Sequence, residues 1–73
     1  MRVYVTRQYQ FGDEAGETRA YSTAEAAMQW LESHFPERER IRWRNPHPGK
    51  WWARIGQPFE GNALYVDEVD VQD

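Results

Sequence analysis

The feature of this chain that most constrains its fold is a pair of alternating runs separated by a short loop. Residues 40–44 and residues 50–55 each alternate basic with apolar side chains, and the loop between them contains two prolines and a glycine. Alternation with a period of two is typical of β-strands, and a loop rich in Pro and Gly between two such runs predicts a β-hairpin. One face of this hairpin should be basic and the other apolar.

The basic face is the main candidate site in the sequence. Strand parity places six side chains on it: Arg40, Arg42, Arg44, Lys50, Trp52 and Arg54. The opposite face should consist of Ile41, Trp43, Trp51, Ala53 and Ile55. Arginine donates paired hydrogen bonds to carboxylates and phosphates, and an exposed tryptophan can fill a partner's pocket or stack on a base. The pattern therefore predicts a partner-binding surface.

The length of the chain and its large aromatic residues set the scale of the core. At 73 residues we expect a single domain, residues 1–73, with one core that supplies only about 3–5 kcal/mol of net stability. Four tryptophans help, because each buried ring removes about 150–250 Å² from water. The chain has no cysteine, so neither a disulfide nor a thiolate metal site strengthens the fold, which fits a reducing compartment.

The other alternating segments predict an α+β fold, in which one amphipathic helix packs on an antiparallel sheet of four to five strands. Residues 3–11 should form the first strand, and residues 17–21 the second, after a loop at residues 12–16. The last strand, residues 63–71, changes parity near Asp67 and Glu68, which predicts a β-bulge there. The first strand should place Val3, Val5, Tyr9 and Phe11 on one face, with Val3 and Val5 against the apolar stripe of the helix.

The helix should follow the first two strands. Ser22 stands three residues before Glu25, the capping-box pattern that starts a helix. Pro36 should end it, because proline disfavours the α conformation in the residue before it. The predicted order is β-β-α-β-β-β, with Trp30 either at the edge of the core or exposed. The apolar stripe of the helix consists of Ala24, Ala27, Met28, Leu31 and Phe35.

Charge is unevenly distributed along the chain, whose formal net charge is −3. Residues 38–54 hold six basic residues and one acidic residue, whereas residues 60–73 hold five acidic residues and no basic one. Two interpretations follow. In the first, the basic hairpin binds an acidic partner. In the second, the acidic last strand lies beside the hairpin and neutralises its arginines, and Trp52 is half-buried beneath them.

We do not expect catalysis. His34 and His47 match no catalytic or metal-binding spacing, and the acidic residues of the last strand lack the glycine-containing loop of a hard-cation site. The sequence therefore predicts no metal and no cofactor.

No apolar run approaches the roughly 20 residues that cross a bilayer, and the N-terminus lacks a signal-peptide core. We expect a cytoplasmic protein that does not associate with membranes.

In outline the chain resembles small accessory proteins encoded by bacteriophages, including anti-CRISPR proteins and other inhibitors of the host. The residues that give the resemblance are the strand Val3-Tyr4-Val5, the helix start Ser22-Thr23-Ala24-Glu25 and the strand Lys50-Trp51-Trp52-Ala53. The resemblance implies a stoichiometric inhibitor that occupies a host protein or ribonucleoprotein complex and has no chemistry of its own.

The sequence thus predicts a non-enzymatic binding module whose basic, tryptophan-bearing sheet face contacts a partner protein. The alternative is a small nucleic-acid-binding domain that uses the same arginines and tryptophan. We rank a protein partner above nucleic acid, because an acidic chain gains little long-range attraction to a polyanion. Tryptophan and arginine are also enriched at protein–protein hot spots.

Overall fold

A computed structural model describes residues 1–35, 41–55 and 61–72, and it confirms the α+β class: one helix packs on an antiparallel sheet. The described residues form six strands in place of the predicted four to five. The sheet order is β2-β1-β6-β5-β4, and β3 also pairs with β1. The elements in chain order are β1 (Arg2–Gln10), β2 (Asp13–Ala15), β3 (Ala20–Tyr21), α1 (Ala24–Glu32), β4 (Arg44–His47), β5 (Lys50–Ile55) and β6 (Asn62–Asp70).

The additional strand arises because the first hairpin closes earlier than predicted. Phe11 and Gly12 have positive φ angles of 50° and 87°, the pattern of a two-residue type I′ turn. β2 therefore forms inside the predicted loop, with Asp13 paired to Gln10. The second strand predicted at residues 17–21 is reduced to the two residues of β3, which return to β1.

The side of β1 that faces the core is opposite to the side that the sequence predicts. Thr6 is fully buried and Tyr4 packs against the core, so the even-numbered residues face the helix. The Thr6 hydroxyl accepts a hydrogen bond from the Arg19 backbone amide at 2.9 Å, and the Thr6 amide donates to the Arg19 carbonyl at 2.8 Å. Thr6 tolerates burial because these bonds satisfy its polar groups. Val3 and Val5 were therefore wrongly predicted to meet the helix.

Helix α1 packs on the sheet through the predicted apolar stripe. Ala24, Ala27 and Leu31 are buried, and Met28 packs against the core from its margin. Phe35 is also buried and lies just after the helix. Trp30 is half-buried at the edge of the core, one of the two placements expected for it.

The ends of α1 differ from the prediction by one turn or less. Its N-cap is Thr23, not Ser22, and the Thr23 hydroxyl accepts a hydrogen bond from the Ala26 amide at 3.1 Å. The helix ends at Glu32, and Pro36 lies outside the described residues. At nine residues, α1 is too short to cross a bilayer, and the described ranges contain no longer helix.

β6 lies between β1 and β5, and its register with both neighbours is unbroken over the described pairs. The bulge predicted near Asp67 and Glu68 was therefore wrong. Leu64 and Val66 are fully buried, whereas Val69 is 41% exposed on the other side of the sheet. The change of parity reflects a strand with apolar residues on both faces. The register shifts instead in β4, which contains a proline without an amide donor.

Candidate binding surface

One side of the sheet is remote from α1, and we call it the open face. Strand alternation and register assign to it the odd-numbered residues of β1 and β6 and the even-numbered residues of β5. All of its side chains are exposed or half-buried. They are Val3, Val5, Arg7 and Tyr9 from β1, Ala63, Tyr65, Asp67 and Val69 from β6, Lys50, Trp52 and Arg54 from β5, and Arg44 from β4.

The predicted division of the basic hairpin between two faces is confirmed where the hairpin is described. Ile41, Ala53 and Ile55 are buried, and Trp43 and Trp51 pack against the core. The Trp43 indole N–H also donates to a Glu32 carboxylate oxygen at 2.8 Å. The predicted site residues on the other side are Arg42, Arg44, Lys50, Trp52 and Arg54, each exposed or half-buried.

The boundaries of β4 differ from the prediction. The strand begins at Arg44, not at residue 40, and continues to His47 through part of the predicted loop. The Asn45 side-chain amide donates to the carbonyls of His47 and Lys50 at 2.8 and 2.7 Å, which holds the turn. Arg40, the sixth residue predicted for the surface, lies outside the described residues.

Trp52 is surrounded by cations. The guanidinium carbon of Arg44, the cross-strand partner of Trp52, lies 5.5 Å from the indole centroid. The guanidinium carbon of Arg54 lies 5.7 Å from the same centroid. These two residues, with Trp52 and Arg42, line a shallow depression of about 280 Å³, which we call the Trp52 cluster. The convergence of guanidinium groups suits the cluster to hold an anionic group.

The acidic strand β6 lies beside β5, as the interpretation of internal neutralisation requires, but its carboxylates pair elsewhere. Asp67 forms an ion pair with Arg7 at 2.5 Å, and Glu68 forms one with Arg2 at 3.3 Å; both arginines belong to β1. Within the described part of the chain, Arg44, Lys50 and Arg54 form no ion pair. The described residues of β6 therefore form no direct ion pair with these three cations.

The structure adds two residues to the predicted site, Tyr65 and Arg7. Tyr65 lies directly opposite both Arg7 in β1 and Trp52 in β5. The Arg7 guanidinium carbon is 5.5 Å from the Tyr65 ring centroid. A row of Arg7, Tyr65, Trp52 and Arg44 thus crosses four strands, with two aromatic rings between two cations.

Arg7 is fixed in this row by its neighbours. Partial burial acts to lower the pKa of its guanidinium, but the hydrogen bond to Asp67 and the charge of that carboxylate raise the pKa overall. Arg7 therefore stays charged at any physiological pH. The sequence does indicate the outward position of Tyr65, since it stands between Leu64 and Val66, which share the opposite face.

A hollow lies beside this row at the start of β6. Ala63 is paired with Tyr9 on one side and with Arg54 on the other, so a methyl group stands between two long side chains. The hollow has two adjacent parts, of about 470 and about 340 Å³, both lined by Gly61, Ala63 and Tyr65. The rings of Tyr9 and Tyr65 meet edge to face along it, with centroids 5.5 Å apart.

The histidines do not form a site with the carboxylates. His34 packs edge to face on Trp30 with ring centroids 4.5 Å apart, and His47 lies in β4. The ranges that the structure describes contain no cluster of three or more histidine or carboxylate side chains able to hold a metal ion.

Comparison of the chain with protein-family models, curated proteins and solved structures finds no match.

Proposed function

We propose that the chain is a binding module without enzymatic activity, which docks an acidic surface of a partner protein on its open face. The Trp52 cluster supports this most strongly. It places a half-buried indole between guanidinium groups, of which those of Arg44 and Arg54 have no carboxylate partner in the described structure. Tryptophan, tyrosine and arginine are the residue types that dominate protein–protein hot spots.

The open face covers about half the area that one partner contributes to a standard protein interface. Four strands spaced about 4.8 Å apart and up to about 30 Å long cover on the order of 400 Å² before side-chain relief is added. One partner contributes roughly 800 Å² to a standard interface. The face is therefore large enough to form the centre of such a contact.

Single-stranded nucleic acid is the second candidate, and the row of Arg7, Tyr65, Trp52 and Arg44 favours it. Sheet surfaces that bind single strands stack bases on neighbouring aromatic rings and hold phosphates with cations. Two observations rank it below a protein. Guanidinium groups already lie over the Trp52 ring, where a base would stack. The chain also has a net charge of −3, which gives no long-range attraction to a polyanion.

Occupation of a partner's surface is how a stoichiometric inhibitor acts. We extend the proposal accordingly to inhibition of a host protein or ribonucleoprotein complex in the cytoplasm, as the resemblance to phage accessory proteins implies.

Two charge-matched variants test the proposal. Arg54→Glu reverses a cation of the Trp52 cluster, while Arg19→Glu makes the same change of net charge beside Trp30 and the helix. The wild-type chain is immobilised to capture a protein from a bacterial lysate, and the affinity of that protein is then measured for each variant. Arg54→Glu should weaken binding about tenfold or more, equivalent to about 1.4 kcal/mol. Arg19→Glu should leave binding nearly unchanged, and equal effects of the two variants would refute the assignment.

A salt titration separates the two candidate partners. A fluorescein-labelled single-stranded oligonucleotide is titrated with the chain at low and then rising ionic strength. Binding that weakens with a log–log slope of about 0.7 per neutralised phosphate would rank nucleic acid first. The absence of binding at low ionic strength would eliminate it.

A further inference from the structure

The hollow at Ala63 differs in chemistry from the Trp52 cluster beside it. One wall is aromatic, where Tyr9 and Tyr65 meet edge to face, and the other is cationic, where Arg54 stands opposite Ala63. Directly opposed residues in antiparallel strands lie about 4.5–5.5 Å apart. A group that rests on the Ala63 methyl therefore contacts both walls at once.

Among the described residues, glycine lines the outer end of the hollow. Gly12 and Gly61 both line this end and present no side chain. A Cβ atom on Gly61 would lie 2.5 Å from the Phe11 ring, so the ring rests on the bare backbone of Gly61. Phe11 therefore lies next to the glycine-lined end of the hollow, in contact with Gly61.

Phe11 is a second and independent indication of a ligand at this place. Its φ of 50° lies in the left-handed region, where type I′ turns favour Asn or Gly. Phe11 is nevertheless 74% exposed, so the core gains little from it. Exposed residues in strained backbone conformations cluster at binding sites, where the strain is retained for function.

We propose that the Ala63 hollow is the anchor site for one aromatic side chain of the partner, next in sequence to an acidic residue whose carboxylate pairs with Arg54. This inference rests on the proposed function and specifies which part of the partner is recognised. The ring enters beside Tyr9 and Tyr65, where apolar contact excludes water. The adjacent carboxylate accepts hydrogen bonds from the Arg54 guanidinium.

A short peptide tests the site directly. N-acetyl-Trp-Glu-amide is titrated into the ¹⁵N-labelled chain, and amide chemical shifts are followed. N-acetyl-Ala-Glu-amide lacks the ring and N-acetyl-Trp-Gln-amide lacks the charge. We expect shifts centred on Gly12, Gly61 and Ala63, with at least about fivefold weaker binding of each comparison peptide. Equal binding of the three peptides, or no shift at the highest soluble concentration, would overturn the proposal.

A filling substitution provides the matched variants. Ala63→Phe occupies the hollow with the chain's own ring and should keep the fold, because aromatic residues suit solvent-facing strand positions. Ala63→Leu is a smaller second variant. Gln29→Phe adds the same ring at an exposed position of α1, on the side of the sheet away from the open face. Both Ala63 variants should lose binding of the Trp-Glu peptide, and Gln29→Phe should retain it.

The results also separate this inference from the proposed function. If Arg54→Glu abolishes partner binding while Ala63→Phe leaves both partner and peptide affinity unchanged, the anchor site is wrong and the protein-binding face stands. If neither substitution changes partner binding, both proposals fail.

Discussion

Trp51 and Trp52 are adjacent in sequence but lie on opposite faces of β5, and this contrast allows a quantitative prediction. Trp51 packs against the core and meets Tyr4 edge to face at 5.9 Å. Trp52 stands on the open face between two guanidinium groups. Replacing each with alanine should therefore affect different properties.

The expected cost of each substitution follows from its contacts. Removal of a fully buried tryptophan costs about 3–5 kcal/mol, so the half-buried Trp51 should cost about 2–3 kcal/mol. Trp52 is also half-buried, but it does not pack against the core cluster. Its removal therefore mainly loses the two cation–π contacts, together worth about 1 kcal/mol. The lower strand propensity of alanine applies equally to both and cancels in the comparison. Trp51→Ala should be less stable than Trp52→Ala by about 1–2 kcal/mol.

Urea denaturation followed by far-ultraviolet circular dichroism gives the two unfolding free energies. Binding of the captured partner is then measured at a temperature where both variants are folded. Trp51→Ala should bind like the wild type, and Trp52→Ala should bind about tenfold more weakly or worse. The face assignment is refuted if Trp52→Ala costs more stability than Trp51→Ala, or if Trp51→Ala is the variant that loses binding.

Three further substitutions test individual contacts. Thr6→Val keeps the side-chain volume but leaves the Arg19 amide without its acceptor, so it should destabilise the fold by about 1–3 kcal/mol in urea denaturation; an unchanged midpoint would contradict this. Trp43→Phe removes the indole N–H that donates to Glu32 and should cost about 1–2 kcal/mol by the same measurement, whereas a neutral result would show the bond to be dispensable. Phe11→Asn relieves about 1–2 kcal/mol of backbone strain and loses a similar amount of apolar contact. Its stability should be nearly unchanged while partner affinity falls, and retained affinity would count against a contact between Phe11 and the partner.

The parts of the fold that the sequence predicts are those with a strong local period. The stripe of α1 and the division of β5 into basic and apolar faces both follow from spacing alone. The two tryptophans of β5 are assigned correctly because their neighbours Lys50, Ala53 and Arg54 leave only one consistent parity.

The side of β1 that faces the core could not be predicted in this way. Val3 and Val5 alternate with Tyr4 and Thr6, so both faces of the strand are compatible with a core. The choice depends on the Arg19 backbone, which satisfies the buried Thr6 hydroxyl and lies 13 residues away in sequence. Such a contact leaves no local sequence pattern.

The wider site depends on strand order, which is also non-local. Tyr65 and Arg7 join Trp52 only because β6 lies between β1 and β5. The hollow exists because the same order places Ala63 between Tyr9 and Arg54. The sequence therefore predicts the basic residues and Trp52 of the open face, but not their position beside Tyr65, Tyr9 and Arg7.

Hydroxyl-radical footprinting of the free and partner-bound chain tests most directly whether the open face is the binding surface. In the free chain, Trp52 and Tyr65 should be oxidised readily, and the captured partner should protect both. Trp30 of α1 packs against Tyr21 on the other side of the sheet. Oxidation of these two residues should be the same with and without partner. Protection of Trp30 and Tyr21 with unchanged oxidation of Trp52 would show that the chain binds through the opposite side.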